Sequence, residues 1–195
     1  MPRVRFITAG LSRFAVFVLT VAILVASAAA QSQPADAKKP MTFLDVQKLR
    51  QVGSPAPSPD AKLLLYTIGT PDWKEARRQT DIHLVSLEKG VASSRQLTFT
   101  KDKNESEPKW LKDNLSFIFA SNREAPASAA TQNQLYLMRI DGGEARKITE
   151  AKEGVTTFAL SHDGKWLVYR SGKAGEEQLY RLPVDGIDTA TPDAL

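Results

Sequence analysis

The chain has 195 residues, 42% of them hydrophobic and 25% charged, the balance of a globular protein and not of a disordered one. Its formal charge of +4 would suit an acidic partner, but residues 1–30 hold three arginines and no acid, leaving 23 basic and 22 acidic side chains beyond them; nucleic acid is therefore not an expected partner. Cysteine is absent, which excludes a disulfide framework, a thiolate metal site and a cysteine nucleophile.

Residues 1–30 have the three parts of a signal peptide. Arg3, Arg5 and Arg13 form a positive n-region, an apolar run extends from Phe14 to Val25, and Ala28, Ala29 and Ala30 supply the small residues a signal peptidase requires. Cleavage is expected between Ala30 and Gln31, giving a periplasmic or secreted protein. Membrane contact is expected only through this segment, were it left uncleaved. Residues 31–40 are polar and rich in Ala, Pro and Lys, and read as a flexible tether. In residues 41–53, Thr42 can cap a helix with Asp45 three residues on, and Phe43, Leu44, Val46 and Leu49 fall near helical spacing. One short helix is predicted there, ending at Gly53.

From residue 54 onward the sequence repeats. A tight turn before an apolar strand occurs at Ser58-Pro59-Asp60-Ala61-Lys62, at Leu111-Lys112-Asp113-Asn114 and at Ser161-His162-Asp163-Gly164-Lys165. The aspartates are 53 and 50 residues apart. A second strand begins at Asp81-Ile82, Gln134-Leu135 and Gln178-Leu179, and a short third one carries Leu97-Thr98 and Ile148-Thr149. Three features returning in one order at this period mark propeller blades, each a small antiparallel sheet. The fold class is thus all-β: a partial β-propeller of four-stranded antiparallel blades behind a signal peptide and a helix. The expected units are 54–107, 108–157 and 158–195. The third is expected to be incomplete, because Leu195 aligns with Leu97 and Ile148 and the following Thr is missing; the sequence reads as a fragment.

The chemistry-bearing residues form no catalytic set in the sequence. None of the eleven glycines brackets a serine as Gly-x-Ser-x-Gly. His83 alternates within a strand and His162 sits in a repeat turn, so both are read as structural. Asp60, Asp113 and Asp163 recur at one turn position in separate blades, which capping explains better than a metal site. Gly172 and Gly175 fit a hairpin loop and are too few to cradle phosphate. Trp73, Trp110 and Trp166 are assigned to blade packing. No catalytic residue, cofactor or metal is expected. The polar segments 69–79 and 122–132 differ most between copies and are candidate substrate-side or domain-facing loops.

The Ser58-Pro59-Asp60 and Ser161-His162-Asp163 turns, with Asp141-Gly142-Gly143-Glu144 and Ile148-Thr149, resemble repeats shared by TolB-type periplasmic proteins and the prolyl oligopeptidase family. The segment from Met41 to Arg50, leading through Val52 and Pro55 into Ser58, is similar to the start of the dipeptidyl- and acylaminoacyl-peptidase branch. Ala61 replaces the usual Gly and His162 the usual Pro. The resemblance implies a Ser-Asp-His triad in a C-terminal α/β-hydrolase domain absent from this sequence, with short peptides as substrate and the propeller gating their access. A TolB-type binding propeller without enzymatic activity is the alternative it leaves.

Overall fold

Twelve strands account for nearly all the regular structure of the computed structural model, which describes residues 39–126 and 132–195. The signal peptide over 1–30, its cleavage point between Ala30 and Gln31, and all but the last two residues of the tether lie outside the described residues. The first sheet holds β1 (Gln51–Pro57), β2 (Leu63–Asp72), β3 (Arg77–Ser86) and β4 (Arg95–Gln96). The second holds β5 (Glu105–Trp110), β6 (Ser116–Ser121), β7 (Gln134–Arg139) and β8 (Arg146–Lys147). The third holds β9 (Val155–Leu160), β10 (Trp166–Ser171), β11 (Gln178–Pro183) and β12 (Asp193–Ala194). In each sheet the strands lie in chain order and every pair is antiparallel. This is the blade pattern read from the repeats.

Three boundaries differ from expectation. The helix, α1, covers only Phe43–Gln47, not 41–53. Its apolar residues remain exposed, Phe43 at 74% and Leu44 at 64%, so no buried face extends it. Pairing captures the chain instead: Gln51, Val52 and Gly53 align opposite Gly69, Ile68 and Thr67. Each blade also starts three residues earlier than predicted, at Gln51, Glu105 and Val155. The opening residues of these inner strands are polar or lie beside irregular pairings, at Gly53/Ala56, Ser106/Lys109 and Arg170/Ser171. The third unit does complete four strands, because Asp193 and Ala194 pair with Arg181 and Tyr180. The Leu195 amide then donates to Leu179 at 2.9 Å, as Leu97 does to Ile82 and Ile148 to Leu135, both at 2.8 Å.

The blades stack through the faces of their middle strands. All six residues of β6 are buried. Phe117 and Phe119 join Leu65, Ile82, Leu84 and Trp110 between the first and second blades. Ile118 and Ala120 turn the other way, toward Phe158, Leu167 and Leu182 of the third. Alternation across a strand explains why a central blade needs apolar residues at consecutive positions. Trp110 adds a directed contact, its indole N–H donating to the Ala56 carbonyl of the first blade at 2.8 Å.

Candidate functional site

The predicted turn aspartates all lie at one end of the stack, in the links from inner strand to next strand. Asp60 Oδ1 accepts from the Ser58 hydroxyl at 2.6 Å and the Lys62 amide at 3.2 Å. Asp163 repeats this with Ser161 at 2.6 Å and Lys165 at 3.0 Å. The Ser58 and Ser161 hydroxyls in turn accept from the amides of Leu63 and Trp166. Leu111 supplies no hydroxyl, so Asp113 accepts directly from the Leu115 and Ser116 amides at 2.9 and 2.8 Å. These bonds hold Asp60 and Asp163 below the usual carboxylate range. Burial raises Asp113, but the bonds from Ser116 and Leu115 together with the Arg139 charge outweigh it and leave it lowered. The three carboxylates are turn caps in separate blades.

The opposite end gathers the β2–β3, β6–β7 and β10–β11 links and the connections between blades. Both candidate loop segments fall there; of the second, residues 127–131 lie outside the described residues. In blade one the central hairpin overshoots its counterparts, with ten residues in each of β2 and β3 against six in β6, β7, β10 and β11. The excess of four residues projects about 13 Å at the usual strand rise. Arg77 ties the projection to Asp102 and Asp72, and Arg78 donates to the Gly69 carbonyl at 2.7 Å. Trp73 stands at its tip, 68% exposed. It does not pack between blades as the buried Trp110 does; Trp166 is half-buried, its ring 4.7 Å from the Arg181 guanidinium of its own blade. Thr70, Trp73, Lys74, Gln79 and Asp81 line a cleft of about 460 Å³ beside it.

Beneath these loops lies a polar cluster that the sequence did not single out. Glu105, the first residue of β5, is fully buried, and its Oε1 meets Arg123 Nη2 and the Ser121 hydroxyl, each at 3.2 Å. The Arg123 guanidinium also lies 5.2 Å from the Phe119 ring and 4.7 Å from that of Tyr136. Burial and the Glu124 carboxylate push the Tyr136 phenol up to about 12. Asp81 of β3 is 7% exposed and accepts from Gln79 Nε2 at 3.3 Å. Burial raises both carboxyls, Asp81 and Glu105. The signal that could have marked them is comparative: Asp81 occupies the position held by Gln134 and Gln178 in the other copies.

The histidines are apart from each other. His83 stacks on Tyr66 with ring centroids 5.6 Å apart, and burial lowers its titration. His162 lies in a turn at the other end. Among the described residues no three His, Cys, Asp or Glu side chains gather as a metal site. The loop end can present surface to a ligand or another domain.

The sequence model of the prolyl oligopeptidase N-terminal β-propeller domain matches residues 19–191. The chain is similar to an uncharacterized peptidase, YuxL, of Bacillus subtilis, at 29% identity over 129 residues, 66% of this chain and 18% of that protein. It is also similar to dipeptidyl-peptidase 5 of Porphyromonas endodontalis, at 24% identity over 62% of this chain and 16% of the relative. The chain thus spans less than a fifth of the length of these curated relatives. A solved TolB from Acinetobacter baumannii superposes with a TM-score of 0.53 at 20% identity, covering 73% of this chain and 32% of that one, a likeness of fold alone.

Proposed function

Because this chain belongs to the prolyl oligopeptidase N-terminal β-propeller family, we propose that it is the non-catalytic propeller of an exported serine peptidase acting on short peptides. The match over residues 19–191 carries this reading. The relatives are several times longer, which supports a hydrolase domain supplied by sequence outside these 195 residues. In that arrangement the propeller limits which peptides reach the nucleophile, and the loop end is the face that suits the task. It carries the braced hairpin, exposed Trp73 and the links that vary between blades. A gate needs rigid walls more than reactive groups, since it discriminates by excluding what does not fit.

The test compares the chain alone with a protein that also contains the hydrolase domain encoded in the same reading frame. The 195-residue chain is expected to hydrolyse no aminoacyl or dipeptidyl substrate. The longer protein is expected to cleave short peptides, to lose activity to a serine-directed organophosphate, and to accept longer peptides once the propeller is deleted. Organophosphate-sensitive turnover by the chain alone, or unchanged length selectivity after deletion, would overturn the proposal. A second reading is a TolB-type propeller that binds a protein partner without catalysis, since a solved TolB shares this fold. A reading frame that carries no hydrolase domain would favour it.

A further inference from the structure

Superposing the repeats by their strand pairing isolates two positions where the copies disagree in charge. The residue of the inner strand opposite Ile68, Ser121 or Ser171 is Val52 in the first blade, Glu105 in the second and Val155 in the third. On the other side of those same residues stand Asp81, Gln134 and Gln178. Every copy except one therefore has a neutral side chain at each position. Both exceptions occur at the contact between blades one and two, where the Thr80 amide beside Asp81 donates to the Asn104 side-chain oxygen beside Glu105 at 2.9 Å, and the Asp81 charge raises the Glu105 carboxyl.

The hydrogen bonds show what neutrality supplies. Gln134 is bonded at both ends: its Oε1 accepts from the Thr149 hydroxyl at 2.8 Å and the Ala151 amide at 2.9 Å, and its Nε2 donates to the Ala151 carbonyl at 2.7 Å. Asp81 and Glu105 each leave one oxygen, Oδ1 and Oε2, buried without a partner among the described residues. Their surroundings hold one cation in contact, Arg123, on Glu105 Oε1. Gln79, Gln96 and His83 face Asp81, and Thr100 and Ser121 face Glu105. Burial favours the uncharged imidazole of His83. Two ionised carboxylates here would leave one negative charge uncompensated in the interior and two orphaned acceptors, which is costly.

We propose that Asp81 and Glu105 hold one proton between them, forming a pH-sensitive latch that joins the first and second blades beneath the loop end. One proton removes one of the two negative charges and leaves the other to be balanced by Arg123. It also returns the site to the charge balance its copies reach with Gln and Val. When the proton leaves for solvent, the two charges repel and the interface must admit water. The sign follows from carboxyls raised in the folded state. The contribution is full below the ordinary carboxylate range and is lost as pH rises through the raised folded value. His83, lowered in the fold, gives a dependence of the opposite sign and cannot mimic it.

The test is urea unfolding of the 195-residue chain between pH 5 and 8, with carboxyl 13C NMR titration of the wild type. In the window where the proton is lost, the folding constant should fall about tenfold per pH unit, the slope for one proton. Asp81→Asn, whose amide supplies a permanent donor, should remove that slope and match or exceed the wild type at pH 8. The carboxyl signals of Asp81 and Glu105 should move together above the ordinary carboxylate range. Independent titration of both within that range would sink the latch, whether or not the variant folds. So would an unchanged slope in Asp81→Asn, or a sodium, potassium or calcium ion raising the pH 7.5 midpoint of the wild type and not of the variant.

Discussion

At position 61 the repeat imposes a backbone conformation on a residue ill suited to it. Ala61, Asn114 and Gly164 occupy equivalent turn positions with φ of 56°, 56° and 71°. Asn and Gly tolerate that region; an alanine there costs about 1–2 kcal/mol. Ala61→Gly should therefore raise the unfolding free energy by about 1 kcal/mol in urea, since glycine returns part of the gain through unfolded-chain entropy. An unchanged midpoint would mean that this turn is not strained. The aspartates beside these residues were legible in the sequence because their partners lie within a few residues, so spacing alone conveys the role. Asp81 and Glu105 were not, because a carboxylate's state depends on what burial brings against it. Their meaning emerged only once pairing put the copies in register.

Among the elements, the outer strands are held by a threonine whose role spacing hinted at but could not explain. Thr98 Oγ1 accepts from the Ile82 amide and Thr149 Oγ1 from the Leu135 amide, each at 2.9 Å, extending the short β4 and β8 contacts by one side-chain bond. Thr149 is 2% exposed. Thr149→Val keeps the shape and removes the acceptor, leaving a buried N–H unpaired, so a loss of about 1–3 kcal/mol is expected by chemical denaturation. A loss indistinguishable from zero would show that water replaces the hydroxyl. Strands with apolar alternation were read correctly for the same reason that α1 was overextended. Periodicity reports which face is apolar, and a strand or helix forms there only if something covers that face. The middle strands have neighbours on both sides; Phe43 and Leu44 lie exposed.

For the molecule as a whole, each apolar cluster draws its side chains from two adjacent blades. Phe117 is fully buried where the first two blades meet, with its ring centroid 5.5 Å from that of Phe119 and 6.4 Å from that of Trp110. Phe117→Ala should cost about 3–5 kcal/mol and weaken the first and second blades together. Hydrogen exchange confined to one blade would contradict that coupling. Export is tested separately: mass spectrometry of the protein recovered from the cell envelope or medium should find a mature chain beginning at Gln31, and a retained Met1 would refute the leader assignment. The rims of the sheets have a further consequence. β4, β8 and β12 are each two residues long. A foreign strand would find almost no free ladder along the outside of such a stack. On the inner side, Pro55 and Pro57 withhold two donors from β1. Short outer strands and the β1 prolines thus work against sideways recruitment at those rims, whereas β9, six residues long and without proline at the edge of its sheet, is the rim left to a foreign strand.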